Sequence, residues 1–351
     1  MATGQGYASR CALGVESTWG TGVAVTELIP FTSESINRVI AQLESEYLDG
    51  NAGRRNLTNS VVSPAGDLEC ELVWDEIDTA IVGIERLLTG ALGTGTWDAA
   101  NSLTQYTLAN TISRSYTLAF NKNVSVWESL GAKINTLKIS GSAGEKVMLS
   151  AGIMAKNLLR TGDAGITNAA AALTALAPAN IPQNIVFDDC VFRLADQANA
   201  IASGDAFAID SFEVNVNNNF SEHQFSTPDA TVTSALYSHE FLRNGRRETT
   251  LSITMPRYTA DTIFGWLNSG TALQADLIFT SGSYIFTILL PNIRVTGDPT
   301  APISGPELIA PSFNFTCLLN PGTNTDMTLT DTTAITGELA IEVTSARTSA
   351  A

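Results

Sequence analysis

Asp67-Leu-Glu-Cys-Glu-Leu-Val-Trp-Asp-Glu-Ile-Asp-Thr-Ala-Ile-Val-Gly-Ile-Glu-Arg-Leu-Leu88 is the stretch that decides the fold. Leu68, Cys70 and Leu72 alternate with Asp67, Glu69 and Glu71. That period of two gives a strand one dry face and one wet face. The period then lengthens. Ile77, Ala80, Ile81, Ile84, Leu87 and Leu88 recur at helical spacing, and Asp75, Glu76 and Asp78 crowd the first turn, where the helix dipole favours acids. A strand feeding directly into an amphipathic helix is predicted, with Leu68, Cys70, Leu72, Ile81 and Ile84 in its core.

The plan recurs between Glu248 and Leu267. Leu251, Ile253 and Met255 alternate with Thr250, Ser252 and Thr254, and Ile263, Phe264, Trp266 and Leu267 follow at helical spacing. An offset of 183 carries Leu68, Cys70 and Leu72 onto Leu251, Ile253 and Met255, and Asp78-Thr79 onto Asp261-Thr262. This points to an internal duplication, with Leu251, Ile253, Met255, Phe264 and Leu267 as the second core set.

The chain has 351 residues, enough for about two domains with their own cores. Hydrophobic residues make up 44% and charged residues 15%, a balance that suits β-rich structure with many turns. A net charge of -16 excludes a protein that grips nucleic acid through clustered Lys and Arg. Cys11, Cys70, Cys190 and Cys317 lie far apart and form no C-x-x-C pair, so no metal or redox motif is visible. Met1–Arg10 lacks the apolar core of a signal peptide and no run is long enough to span a bilayer, so no membrane anchor is expected.

The N-terminal segment carries a family signal. Ala12-Leu-Gly-Val-Glu-Ser-Thr-Trp-Gly-Thr-Gly-Val-Ala-Val25 leads into Leu28-Ile-Pro-Phe-Thr-Ser-Glu-Ser-Ile36, and an acidic strand, a long polar loop and the strand-helix unit follow in order. This resembles the tail tube proteins (major tail proteins) of long-tailed siphophages, over the first half directly and over the second through the duplication. The resemblance implies a virion protein, made in the host cytoplasm, that forms stacked rings of six tube domains; a duplicated chain would supply these as a homotrimer. It also implies tape-measure and tail terminator or tip proteins as partners, and DNA in transit without specific binding.

The fold expected is mainly β (α+β): two tandem β-sandwich or half-barrel tube domains, each with one flanking helix. They span residues 1–160 and 181–351, joined by an Ala/Thr/Gly linker or exposed insertion at 161–180. Asp67, Glu69, Glu71 and Glu248 become candidates for an acidic, DNA-repelling lumen, although the second copy offers only Thr250, Ser252 and Thr254 beside Glu248. The long loop 49–66 carries Arg54 and Arg55. A second Gly-Arg-Arg places Arg246 and Arg247 before the second strand. In the family the first loop reaches the neighbouring ring, which makes these four arginines inter-ring candidates.

Further strands are expected at Arg114–Phe120, Ala132–Ser140, Val147–Asn157, Ile185–Leu194, Phe207–Asn217, Leu277–Leu290, Leu308–Leu319 and Glu338–Val343. Pro291, Pro299, Pro302, Pro306 and Pro311 should confine the segment between them to turns or edges. The glycine cluster Thr89–Thr96 lacks the Lys-Ser/Thr ending of a phosphate loop and reads as a helix stop. No G-x-S-x-G, H-E-x-x-H or calcium-loop motif accompanies His223 or His239, so no catalytic or metal residue, and no cofactor, is expected. Two other readings compete: a two-domain β-sandwich binding module (adhesin or carbohydrate-binding), and a glycan-active enzyme, which needs a carboxylate pair that is not identifiable.

Overall fold

The computed structural model describes residues 3–47, 56–74, 83–176, 183–222, 238–301, 303, 306, 308–320, 322 and 327–344. Strand accounts for 49% and helix for 11%, in a single large antiparallel sheet and a small two-stranded one. Strands β1 (Arg10–Val15), β2 (Glu27–Ile29), β3 (Ser33–Glu34), β4 (Asn37–Glu44) and β5 (Leu57–Glu71) precede helix α1 (Gly83–Leu92). After it come β6 (Thr96–Asp98), β7 (Leu103–Thr107), β8 (Tyr116–Asn121), β9 (Val126–Ser142), β10 (Met148–Met154) and β11 (Asn157–Arg160). Helix α2 (Ala170–Ala175) leads to β12 (Cys190–Asp196), β13 (Ala206–Phe207), β14 (Ser211–Asn217), β15 (Phe220–Ser221), β16 (Leu242–Arg243) and β17 (Glu248–Thr254). Helix α3 (Thr262–Ser269), β18 (Leu273–Ser281), β19 (Tyr284–Thr300), β20 (Ser312–Cys317) and β21 (Ala340–Thr344) complete the chain.

The alternation that defined the opening stretch is obeyed. Leu68 and Cys70 on β5 and Leu72 just past it are buried while Asp67 and Glu69 are exposed; Leu251 and Ile253 are buried on β17. Helix α1 buries Ile84, Leu87, Leu88, Ala91 and Leu92 against β9 and ends at Gly93, whose φ of 101° few side chains tolerate. It thus runs through Thr89 and Gly90, past the stop expected there. Gly90 lets it lie close, since a Cβ would sit 2.6 Å from the Tyr116 ring. On α3 only Ile263 is fully buried; Met255, Phe264 and Leu267 pack half-buried against the same core. The expected core position Ile81 and the acids Asp75, Glu76 and Asp78 lie outside the described residues.

The strands at the centre of the sheet follow one another as β5, β10, β9, β14, β17, β20 and β19, each antiparallel to the next, with β3 and β4 on the outer side of β5. The β9–β14 pair joins the two halves, and one hydrophobic cluster runs through both. β9 and β19 are each 17 residues long and change partners along their length, β9 from β8 and β11 to β10 and β14, and β19 from β18 and β21 to β20. Val126–Ala132 of β9 pairs with β8 and Lys133–Ser140 with β10; Tyr284–Ile293 of β19 pairs with β18 and Ile293–Thr300 with β20.

Three expectations need adjustment. Leu277–Leu290 is a hairpin turning at Gly282 (φ 63°), because apolar runs in both strands hide the reversal. Pro291 lies inside β19, buried, where a register shift in β18 between Leu273 and Ala275 removes the ladder bond a proline cannot donate. The Ala-rich stretch after 160 is docked: Leu173 of α2 is fully buried on β1 and β8, and the buried Glu128 carboxylate accepts from the Asn168 backbone N–H (2.8 Å) and side chain (3.1 Å).

Candidate functional site

Antiparallel register brings one wet row across eight strands. Ser33, Glu69, Ser150, Lys138, Asn215, Thr250, Thr316 and Arg294 stand directly opposite one another in that order. The next wet row reads Glu71, Met148, Ser140, Glu213, Ser252, Asn314 and Thr296. Residues two apart on a strand share a face, so the polar members of these rows form one continuous surface. Their dry-face counterparts Cys70, Leu149, Ile139, Val214, Leu251, Phe315 and Val295 are all buried beneath it.

Asp67, Glu69, Glu71 and Glu248 all lie on this face, but not in a uniform row of free carboxylates. Lys146 Nζ is 2.8 Å from Glu71, and Lys138 Nζ is 3.7 Å from Glu213 across the β9–β14 seam. Ser33 Oγ donates to Glu69 Oε2 at 2.8 Å. Asp67, Glu69 and Glu248 carry no ion pair among the described residues. Both lysine pairs are 33–50% exposed, so each contributes at most about 1 kcal/mol to stability. Their effect is to dilute the field of the face. Sequence reasoning missed Lys138, Lys146, Glu213 and Arg294 because cross-strand neighbours are set by long-range register.

At the outer side of the sheet, β4 and the first half of β5 form a hairpin whose β4 residues are all exposed, including Val39 (58%) and Leu43 (61%), as is Leu57 (53%) on β5. The long loop expected over 49–66 is strand from Leu57 onward, and Arg54 and Arg55 lie outside the described residues. The short β15–β16 pair occupies the matching position before β17. Arg246, just beyond it, is exposed. Arg247 is half-buried with its side chain largely covered, its Nε 2.7 Å from Glu338 Oε2, so its charge is already matched within the chain.

The N-terminal motif that carried the family signal forms a latch. Glu16, 7% exposed, accepts from Gly20 N (2.8 Å), Gly131 N (2.8 Å), Ser115 Oγ (2.9 Å) and Thr117 Oγ1 (3.0 Å). Trp19 Nε1 donates to Gly131 O, and the Trp19 ring meets Phe241 edge-on at 5.8 Å. Beside them Lys133, 1% exposed, donates to Glu240 and to the carbonyls of Ile112 and Phe241. Asn218 is fully buried at the seam and donates to Ala91 O, the end of α1. The residues of the two halves are therefore tied by buried polar bonds as well as by a shared sheet. His239 is half-buried, and His223 lies outside the described residues.

This is the surface of a structural protein: a broad polar sheet face, projecting hairpins and polar ties that position backbone. A family model for phage tail tube proteins matches residues 6–317, spanning both halves. No curated protein matches the chain. The chain belongs to the phage tail tube protein family, as a non-enzymatic structural subunit of the virion tail.

Proposed function

We propose that the chain is a tandem pair of tube units and that three copies close into a ring with six pseudo-equivalent units, rings then stacking into a DNA-conducting tube. The observation that carries this is a repeated pairing plan. In the first half β5 leads to a helix, then to β8, β9 and β10, with β10 between β5 and β9; in the second, β17 leads to a helix, then to β18, β19 and β20, with β20 between β17 and β19. β1 pairs β8 and β2 as β12 pairs β18 and β13. A single 3-10 turn precedes each: Gly6–Ala8 before β1, Phe187–Asp189 before β12. Even the register shift recurs, between Tyr116 and Leu118 in β8 and between Leu273 and Ala275 in β18.

Eight strands per chain carry the polar face, which becomes twenty-four in a three-chain barrel. At about 4.8 Å per strand and a tilt of about 40° the barrel would be roughly 48 Å across at the backbone. Closure removes the free sheet edges that a lone chain would expose. The polar face lines the bore, where Asp67, Glu69 and Glu248 keep DNA phosphates from adhering and Lys138, Lys146 and Arg294 moderate the repulsion. The exposed β4–β5 hairpin faces the next ring, and Arg54 and Arg55, which fall between its strands in the sequence, are the inter-ring candidates. Tape-measure and terminator proteins are the partners the family reading implies. Negative-stain microscopy with mass measurement tests this: rings of three chains are expected. A chain that stays a lone particle, or a ring of six chains, refutes it.

A further inference from the structure

We infer that the seam inside the chain is the template for the seam between chains: the end of β19 in one copy adds to the β3 side of the next copy, in the register by which β9 meets β14. This rests on the ring reading and names its contact residues. Inside the chain, Thr136–Ser142 of β9 has β10 on one side and β14 on the other. The equivalent stretch of β19, Arg294–Thr300, has β20 on one side and no strand on the other among the described residues. Likewise β14 is held between β17 and β9, whereas its counterpart, the segment Phe31–Asn37, pairs with β5 and with no second strand among the described residues. Among the described residues the internal seam is thus made, while the end of β19 offers a donor edge and the β3 side an acceptor edge.

Register follows from the partners already present. Val216 stands opposite Leu137 and Asn215 opposite Lys138. On β17 Val216 faces Thr249, and the β5 position equivalent to Thr249 is Gly66, which the ladder of β3 and β4 places opposite Ile36. Leu137 shares its dry row with Ala151 and Leu68, as Val295 does with Phe315 and Leu251. The intermolecular pairs are therefore Ile36 with Val295, Ser35 with Thr296 and Asn37 with Arg294. Ile36 (1% exposed) and Val295 (8%) supply the same apolar match as Val216 and Leu137.

A second feature agrees. In the internal seam the turn after β9 plugs into the second half: Ala143 N donates to Asp210 O, Phe187 N to Glu145 O and Val147 N to Ile185 O, and Gly141 lies against Phe187 and Phe212. The matching place in the first half is an open cleft of about 670 Å³, lined by Gly4, Gly6, Ser9, Phe31, Glu34 and Lys122. The head-to-tail contact uses two different surfaces of each chain, as a closed ring requires.

The test mixes two single-cysteine variants, S35C and T296C, and applies a short thiol-to-thiol cross-linker after assembly. A covalent S35C–T296C dimer is expected, and none when S35C is mixed with S252C, whose strand is flanked on both sides. Hydrogen exchange on the unaltered chain gives an independent reading: amides of Ser33–Asn37 and Arg294–Thr296 should gain protection on assembly, while those of the β9–β14 seam keep theirs. Rings that form without protection or cross-linking at these edges overturn the strand assignment and leave the ring reading standing. A chain that forms no rings overturns both.

Discussion

Replacing Glu16 by alanine tests whether the motif that marks the family acts as a structural latch. The Glu16 carboxylate holds four donors, of which the hydroxyls of Ser115 and Thr117 can turn to other acceptors. The backbone N–H groups of Gly20 and Gly131 cannot. A buried donor left unmatched costs about 1–3 kcal/mol, so the two amides alone set a loss of roughly 2–6 kcal/mol, with about 3 kcal/mol as the working value. At about 2.1 cal/mol/K per residue, a cooperative unit of this length loses roughly 4 °C in Tm for that change. Glu16→Gln keeps one acceptor oxygen but turns an amide against a donor, and should lose about half as much. Urea unfolding followed by tryptophan fluorescence measures both, with the midpoint falling at constant m. An E16A chain within about 0.5 kcal/mol of the parent, the range of an ordinary surface change, would refute the latch.

Gly90→Ala should destabilise the chain although alanine is the better helix former by about 1 kcal/mol, because the added Cβ meets Tyr116 at 2.6 Å and Ile134 at 2.9 Å; a raised Tm would contradict the close helix–sheet packing. Burial raises the thiols of Cys11 and Cys317 and pushes those of Cys70 and Cys190 up to about 12. At pH 8 a thiol reagent should therefore leave Cys11, Cys70 and Cys317 unmodified in the native chain and modify all four in guanidinium, and fast native labelling at any of those three would show that β1, β5 or β20 opens.

Several features were legible in the residues alone. The wet and dry faces of β5 and β17 follow from strict alternation, and the helix after each follows from the change of period at the same point. Glu16 and Trp19 could be read as a family motif but not as a latch, because their partners Ser115, Thr117 and Gly131 come from about a hundred residues away. The first half of β9 escaped notice for another reason. Nearly all of its positions from Val126 to Ile134 are buried, so no alternation marks it as a strand. The hairpin at Gly282 was hidden in the same way, by apolar residues on both of its arms.

By itself the sequence determined that the chain is mainly β, that β5 and β17 would each have one dry face and lead to a helix, and which family the chain resembles. These depend on neighbours a few residues apart, and side-chain periodicity records them directly. Only the tertiary structure decided that β9 meets β14, that Lys138 and Lys146 stand beside Glu213 and Glu71, that Arg247 is spent on Glu338, and that, among the described residues, no second strand flanks β3 or the end of β19. Strand edges present the same backbone N–H and C=O groups whatever their side chains. Which edge finds a partner is therefore settled by how the whole chain packs, and the side-chain pattern of a strand does not record it.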